Sequence, residues 1–254
     1  MAESRQELVD KLALANKVLG TLDITHEALG HVSCRLEGGE TMLIKGKGPG
    51  EVGLRYTEPR DILEVDYKAD KVHGAEDLQP PSESFIHIWM YKSRSDVNSV
   101  VHMHPEEAVI LTVCDKPVIP IYGAFGGGAK LAIQGVPVYP KSLTVNNDEL
   151  GQELAQTIGE CNVCLMRGHG ITAVGNSIEQ ATLNCIHLVE LTRMLYKAYL
   201  IGDPRPISDA DIQESAARLG ASGRTRGSAG GLTGMMATWN FYVRLASERS
   251  NGRF

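Results

Sequence analysis

The middle of the chain carries the stretch Asn98-Ser99-Val100-Val101-His102-Met103-His104-Pro105, in which two histidines follow an apolar, β-branched run. Such a run predicts a buried strand, and the proline after it predicts the end of that strand. Side chains alternate between the two faces of a strand, so His102 and His104 point the same way, with their ring nitrogens close together. On its own the pair fits a metal site at a strand exit as well as it fits two hydrogen-bonded core histidines.

Length, composition and charge limit the function classes. With 254 residues and 43% hydrophobic content, the chain can bury a full core without disulfides or a partner. A formal charge of −6 and a pI near 5.8 argue against a nucleic-acid or anionic-membrane surface, because either needs a clustered basic face. The polar start and the lack of an apolar run of about 18 to 20 residues predict no targeting or membrane segment. We therefore expect a cytoplasmic protein that acts on a small molecule.

Hydrophobic periodicity and turn residues predict a layered α/β domain around this stretch. The predicted helices cover residues 5–20, 83–90 with Ser82 as N-cap, 106–113, 147–158, 177–201 and 209–219. The predicted strands cover residues 31–36, 41–45, 61–66, 98–104, 118–119, 162–166 and 171–174. The glycine-rich segment 123–128 lacks the strand-turn-helix setting of a phosphate loop, so we expect a flexible loop near a site or an interface.

A further histidine follows another apolar strand, in the sequence Arg167-Gly168-His169-Gly170. Glycines on both sides let the backbone turn sharply and leave the ring exposed. With His102 and His104, His169 could complete three neutral nitrogen ligands and leave positions for substrate and water, which is typical of a catalytic metal site. Glu83, just after Pro80-Pro81-Ser82, supplies a carboxylate that could bind the metal at rest and act as an acid or base in turnover.

The chain resembles the class II aldolase/adducin family over roughly residues 5 to 200. The resemblance is carried by Pro81-Ser82-Glu83-x-x-x-His87, by Ser93-Arg94-Ser95-Asp96-Val97 with His102-x-His104-Pro105 after it, and by Gly168-His169-Gly170. These blocks are specific because they are well separated and stand in the family's order and spacing. The best-known members are the L-fuculose-phosphate aldolase and L-ribulose-5-phosphate 4-epimerase types.

The resemblance implies a site and an assembly. His102, His104 and His169 would be the metal ligands, with Glu83 as the resting fourth ligand and the catalytic acid/base. Tyr122 resembles the tyrosine that family members send across a subunit boundary as a proton donor. The implied fold is a three-layer α/β/α domain with one large mixed sheet, in a homotetramer with sites at the subunit interfaces. We expect this domain to span residues 1–205, with 206–254 as a helical extension packed on the same domain or on a neighbouring subunit.

Two segments depart from the pattern of the sugar-phosphate members. Gly30-His31-Val32-Ser33 has a histidine where those members carry an asparagine that helps to hold phosphate, and Lys45-Gly46-Lys47-Gly48 replaces a threonine-rich turn. Both departures favour a carboxylate over a phosphate, because charge-assisted hydrogen bonds to a planar anion need donors of this type. The predicted substrate-binding residues are His31, Ser33, Lys45, Lys47, Gly48, Ser82 and Arg167.

The branch of the family that this segment resembles decarboxylates ortho-hydroxy aromatic dicarboxylates, such as dihydroxyphthalate and hydroxypyridine dicarboxylate. We therefore predict a metal-dependent carbon–carbon lyase that uses one divalent ion per subunit, zinc or manganese or else cobalt. Aldol cleavage of a small hydroxy-carbonyl or sugar-phosphate substrate is the alternative. A non-catalytic scaffold like the adducin head domain is a remote one, because that interpretation expects eroded ligands and Glu83, His102, His104 and His169 are all present.

Overall fold

The computed structural model describes residues 3–51, 53–121, 127–221 and 229–250. Its strands are β1 His31–Arg35, β2 Thr41–Lys45, β3 Ile62–Asp66, β4 Lys71–His73, β5 Ser99–Met103, β6 Val138–Tyr139, β7 Val163–Met166 and β8 Gly170–Gly175. Its helices are α1 Arg5–Thr21, α2 Ser84–Ser93, α3 Glu106–Val113, α4 Gly127–Gln134, α5 Asp148–Ile158, α6 Ile178–Ile201, α7 Asp209–Ala221 and α8 Ala229–Ser250. No helix within these ranges combines the length and the apolar character that crossing a membrane requires.

All the described strands form one sheet of eight, in the order β4-β3-β2-β1-β5-β8-β7-β6. Neighbouring strands run antiparallel except at the β6–β7 edge, where Val138 pairs with Leu165 in parallel. The predicted large mixed sheet is therefore confirmed. The strand of the histidine pair, β5, lies near the centre of this sheet, between β1 and β8.

Alternation along the strands gives the sheet two apolar faces. On β5, Val100 packs with residues of α2 and α5, whereas Val101 packs on the opposite face with residues of α1, α6 and α8. We call these the α2 face and the α1 face. Helices thus cover both sides of the sheet, which is the predicted three-layer arrangement, and His102 shares the α2 face with Val100.

Local sequence fixes the ends of several helices. Ser4 and Glu7 form a capping box at the start of α1, and the side chains of Asn147 and Ser177 accept from backbone amides at the starts of α5 and α6. Each cap of this kind contributes about 1 kcal/mol. The C-terminal helix α8 joins the core, because Trp239 and Ala246 are buried in the same cluster as residues of α1. The domain boundary at residue 205 stays a prediction.

Several local predictions were wrong. Ser82 is exposed and does not cap α2, which begins at Ser84 with Glu83 at the N-cap position. Residues 118–119 form no strand, because Pro117 and Pro120 on either side cannot donate to a ladder. Helix α4 begins at Gly127, inside the glycine-rich segment that was expected to be a loop, while residues 122–126 lie outside the described part. The short strands β4 and β6 were not predicted.

Candidate metal centre

The histidine pair lies where the sequence places it, at the end of β5 on the α2 face. His102 is completely buried, and His104, one residue beyond the strand, keeps 17% of its side chain exposed. Their Nε2 atoms are 3.0 Å apart. His102 also lies directly opposite His31 on β1 in the strand register, with the two ring centroids 5.4 Å apart.

His169 is brought to the pair by the hairpin that joins β7 to β8. Gly168 takes a positive φ of 60° in its turn, which a residue with a side chain adopts only with strain. Gly170 opens β8 so close to β5 that a Cβ there would stand 2.3 Å from the carbonyl oxygen of Met103 and 3.0 Å from Cδ2 of His104. One glycine therefore allows the turn, and the other allows the approach that brings His169 to His104.

Glu83 approaches the histidines from the helical layer. It stands at the N-cap of α2 without capping the helix, so its carboxylate is free to turn toward the sheet. Its Oε1 lies 3.2 Å from His169 Nε2, and its Oε2 lies 3.3 Å from His102 Nε2 and 4.0 Å from His104 Nε2. The backbone amide of Val145 donates to Oε1 at 3.3 Å and helps to hold the carboxylate in place.

These four side chains fit a divalent ion. One ligand atom from each of Glu83, His102, His104 and His169 lies within 4.8 Å of the others. Tetrahedral bonds of about 2.0 to 2.1 Å require ligand atoms on the order of 3.3 Å apart, and the closest Nε2 and carboxylate distances scatter about that value. The donor set of three imidazoles and one carboxylate suits zinc, manganese or cobalt.

The outer contacts of the rings support the same interpretation. His102 Nδ1 lies 3.0 Å from the carbonyl oxygen of Ile171, so Nδ1 carries the hydrogen and Nε2 presents its lone pair to the cluster. Among the described residues, the Nδ1 atoms of His104 and His169 have no hydrogen-bond partner, and the Nε2 atoms of both rings face the cluster.

The cluster also holds its side chains in the protonation states that metal binding requires. Burial alone would raise the pKa of Glu83, but the adjacent rings of His102 and His169 outweigh it and hold that pKa well below its usual range. Burial lowers the pKa of His104 to about 3. Near neutral pH the centre therefore offers a carboxylate and an uncharged His104.

Of the two predicted lysines, only Lys47 lies near the cluster. Burial lowers the pKa of His104 and of His31, and the charge of Lys47 acts in the same direction on both. Strand alternation places Lys45 on the α1 face, away from the ligands, where it is 2% exposed and forms an ion pair with Glu51. A direct substrate contact by Lys45 is therefore not supported.

The side chain of Ser33 likewise forms its hydrogen bonds inside the protein. It is completely buried, and its Oγ lies 2.6 Å from both His87 Nδ1 and the Tyr91 hydroxyl. The other nitrogen of His87 lies 2.7 Å from His31 Nδ1, which leaves His31 as the member of this group beside the metal ligands. Ser33 thus has a supporting position, whereas substrate binding by His31 stays a prediction.

The remaining predicted contacts lie farther out. Arg167 forms an ion pair with Asp115 and keeps 40% of its side chain exposed, and Ser82 is exposed at the start of the segment that leads into α2. Gly48 is half-buried against the backbone of Asp77. Tyr122 lies outside the described residues, so its predicted role as proton donor stays a prediction.

Sequence reasoning missed Glu51 and Tyr91 as supports of the site. Glu51 follows Gly50 in the glycine-rich loop, and its carboxylate lies 3.2 Å from Lys47 Nζ. An acidic residue so close in sequence to Lys45 and Lys47 could have indicated this ion pair. Tyr91 stands on α2 two turns after Glu83, and only the fold shows that its hydroxyl meets Ser33. His87, a residue of the Pro81–His87 motif, forms hydrogen bonds inside the protein with Ser33 and His31.

Comparison with known proteins shows the family of this chain. The family model described as Class II Aldolase and Adducin N-terminal domain matches residues 10–196. The chain is 35% identical over 210 residues to the 3,4-dihydroxyphthalate decarboxylase of Arthrobacter keyseri, covering 81% of this chain and 84% of that one. It is 31% identical over 216 residues to an L-fuculose phosphate aldolase of Escherichia coli O6:H1, covering 80% of this chain and 93% of that one.

The fold has a solved counterpart in an aldolase II superfamily protein from Pseudomonas syringae. The two superimpose with a TM-score of 0.81 at 19% identity, covering 98% of this chain and 95% of the other. The predicted fold and family resemblance are confirmed, and the chain is a lyase, since both groups of curated relatives are lyases and the metal-binding side chains converge. By its matched length and its sequence relatives, this chain belongs to the class II aldolase and adducin family.

Proposed function

We propose that this chain catalyses the non-oxidative decarboxylation of an ortho-hydroxy aromatic dicarboxylate of the dihydroxyphthalate type. The observation that carries the proposal is the convergence of Glu83, His102, His104 and His169, with His31 and Lys47 beside them. The curated decarboxylase relatives support the same choice. His31 and Lys47 supply a hydrogen-bond donor and a positive charge for a carboxylate, at a place where phosphate binding would use neutral donors.

A bound divalent ion would supply an electron sink, by drawing charge from the ring hydroxyl and a neighbouring oxygen of the substrate. The residues of the chain then have two tasks. His102, His104 and His169 would hold this ion and would thereby fix the position of the reacting ring. Lys47 favours the approach of the dianionic substrate, because its charge lies near the ligand cluster.

Glu83 is the proposed proton carrier. As the substrate displaces its carboxylate, Glu83 accepts the proton of the ring hydroxyl. The bond between the ring and the carboxylate carbon breaks, carbon dioxide leaves, and the electron pair stays on the ring carbon. Glu83 returns its proton to that carbon, and the product oxygen regains a proton from water on release. Tyr122 is the alternative donor of the proton to the ring carbon.

We further propose one zinc, manganese or cobalt ion per subunit and a homotetramer with sites at the subunit interfaces. Metal analysis of the purified protein tests the first point. Light scattering after size-exclusion chromatography tests the second, and a monomer that is fully active would exclude sites that need a neighbouring subunit.

Aldol cleavage is the second candidate, favoured by the identity to the fuculose phosphate aldolase and by the same metal-binding residue types. One assay separates the two. The metal-loaded protein is incubated with 3,4-dihydroxyphthalate, hydroxypyridine dicarboxylate or L-fuculose 1-phosphate, and the release of carbon dioxide and aldehyde is followed. We expect carbon dioxide from an aromatic dicarboxylate, whereas aldehyde from the sugar phosphate alone would reverse the assignment.

A further inference from the structure

A chain of buried hydrogen bonds leads from α2 to the edge of the metal cluster. It runs from the Tyr91 hydroxyl to Ser33 Oγ at 2.6 Å, on to His87 Nδ1 at 2.6 Å, and from His87 Nε2 to His31 Nδ1 at 2.7 Å. Ser33 and His87 are completely buried, and Tyr91 and His31 are 3% and 2% exposed. Water therefore does not take part in the inner links.

The direction of every hydrogen bond follows from the Tyr91 end. Among the described residues, Ser33 is the hydrogen-bond partner of the Tyr91 hydroxyl, and the nearby Tyr67 hydroxyl is buried without any partner. The Arg35 guanidinium over the Tyr91 ring can only donate. The Tyr91 hydrogen must therefore go to Ser33, because the opposite direction would leave a buried donor without an acceptor.

The donor and the acceptor of each remaining hydrogen bond are then determined. Ser33 has one hydrogen and donates it to His87 Nδ1. His87 in turn carries its hydrogen on Nε2 and donates to His31 Nδ1, so His31 carries its own hydrogen on Nε2.

The free end of this hydrogen-bond chain lies beside the proposed metal ligands. Among the described residues, His31 Nε2 has no hydrogen-bond partner, and the atom is not completely buried. The His31 ring lies 5.4 Å from the ring of His102, directly across the strand pair. An N–H without an acceptor in this position is available to a bound molecule.

We propose that Tyr91, Ser33 and His87 are positioning residues that fix His31 as an uncharged hydrogen-bond donor to the carboxylate that stays on the ring after decarboxylation. The assignment of the carboxylate rests on the proposed function. A donor on the departing carboxylate would stabilise its charge before the bond breaks and would slow the reaction. A donor on the retained carboxylate holds the ring in place without this cost.

Nitrogen NMR tests the direction of the chain without any substrate. The zinc-loaded full chain, labelled with ¹⁵N in its histidines, should show His31 and His87 as neutral rings with hydrogen on Nε2. The signals are assigned with the variants His31→Gln and His87→Gln. Hydrogen on Nδ1 of either ring, or two protons on either ring at neutral pH, would overturn the proposal.

Ligand binding tests what the free N–H contacts. Loss of the carboxylate at the ring position next to the hydroxyl converts 3,4-dihydroxyphthalate into 3,4-dihydroxybenzoate, and catechol lacks the retained carboxylate. By calorimetry on zinc-loaded protein, His31→Leu should weaken 3,4-dihydroxybenzoate binding by about tenfold to a hundredfold and leave catechol binding unchanged. His31→Gln should restore most of the lost affinity, because its amide can donate from nearly the same position.

The outcomes separate this proposal from the proposed function. Equal weakening of both ligands, or no weakening of either, would refute the carboxylate contact. His73→Leu, which removes an exposed histidine of β4, is the control and should change neither affinity. If dihydroxyphthalate is not decarboxylated while 3,4-dihydroxybenzoate binding still depends on His31, the proposed reaction fails and the donor role stands.

Discussion

Gly170 lies against Met103 so closely that a Cβ on Gly170 would stand 2.3 Å from the Met103 carbonyl oxygen. The variant Gly170→Ala should push β8 away from β5, because backbone cannot give way as the end of a flexible side chain can. We expect the free energy of unfolding to fall by about 1 to 3 kcal/mol or more and zinc affinity to fall with it, since His169 is displaced. Thermal unfolding and metal titration measure both.

Gly202→Ala is the matched control for this substitution. A Cβ at Gly202 meets no atom within 4 Å, so stability and zinc affinity should be unchanged. Normal zinc affinity in Gly170→Ala would show that the close approach of the strands does not position His169.

Glu83→Gln should stop turnover while sparing the fold. The substitution keeps the shape of the side chain but removes the charge that His102 and His169 surround and the proposed proton-carrying group. We expect the rate of carbon dioxide release to fall by about 10² to 10⁴. Glu160→Gln, at an exposed position, should leave the rate unchanged. Full activity of Glu83→Gln at normal metal content would remove Glu83 from the chemistry.

Removal of the metal should lower stability by mass action. An ion that binds only the folded state adds about 2.7 kcal/mol when its free concentration is a hundred times its Kd. The unfolding temperature should therefore be higher with zinc than with a chelator, both in the wild-type protein and in the control His73→Ala. The difference should disappear in His169→Ala. A chelator effect that survives in this variant would place the stabilising ion elsewhere.

The ion pair between Lys11 on α1 and Glu179 on α6 should make stability depend on acid pH. The atoms Lys11 Nζ and Glu179 Oε1 are 2.7 Å apart. Burial would raise the pKa of Glu179, but the hydrogen bond from Lys11 outweighs it and lowers that pKa. Because the folded pKa lies below the unfolded one, the stabilisation is present above the unfolded pKa and is lost as the pH falls through the folded pKa.

Glu179→Gln should therefore lower the free energy of unfolding near neutral pH by about 1 to 2 kcal/mol. In acid the free energies of unfolding of the variant and the wild-type protein should become equal. Denaturant unfolding at several pH values measures this difference. The control is Glu248→Gln, which breaks an exposed pair with Arg244 on α8 and should change stability by about 0.5 kcal/mol or less. A difference for Glu179→Gln that stayed constant into acid would contradict the pKa shift.

The convergence of the three histidines could be predicted from the sequence because each of them carries a local signal. The alternation of side chains along a strand places His102 and His104 on the same face. The glycines on either side of His169 predict a tight turn. The substrate contacts had no such local signal. Whether Lys45 faces the ligands or Glu51 depends on which face of β2 meets which helix, and the occupation of Ser33 depends on Tyr91, which the fold brings from another element.

Helix α4 and strands β4 and β6 were not predicted because they too lack a local signal in the sequence. Helix α4 was missed because glycines at its start lower helix propensity, while its contacts with α6 stabilise it after the chain has folded. The short strands β4 and β6 lie at the two edges of the sheet, where a few residues pair with a neighbour and leave no periodic pattern.

The ligands of the metal centre come from the start of α2, the end of β5 and the β7–β8 turn. His102 is oriented by the carbonyl of Ile171, which lies 69 residues away along the chain. A newly synthesised chain has nowhere to load its ion until these distant segments have met, since closing such long loops costs entropy that only the paired strands repay. Under the proposed function, we therefore predict that the ion is inserted late in folding and that starvation for it leaves a folded but inactive pool.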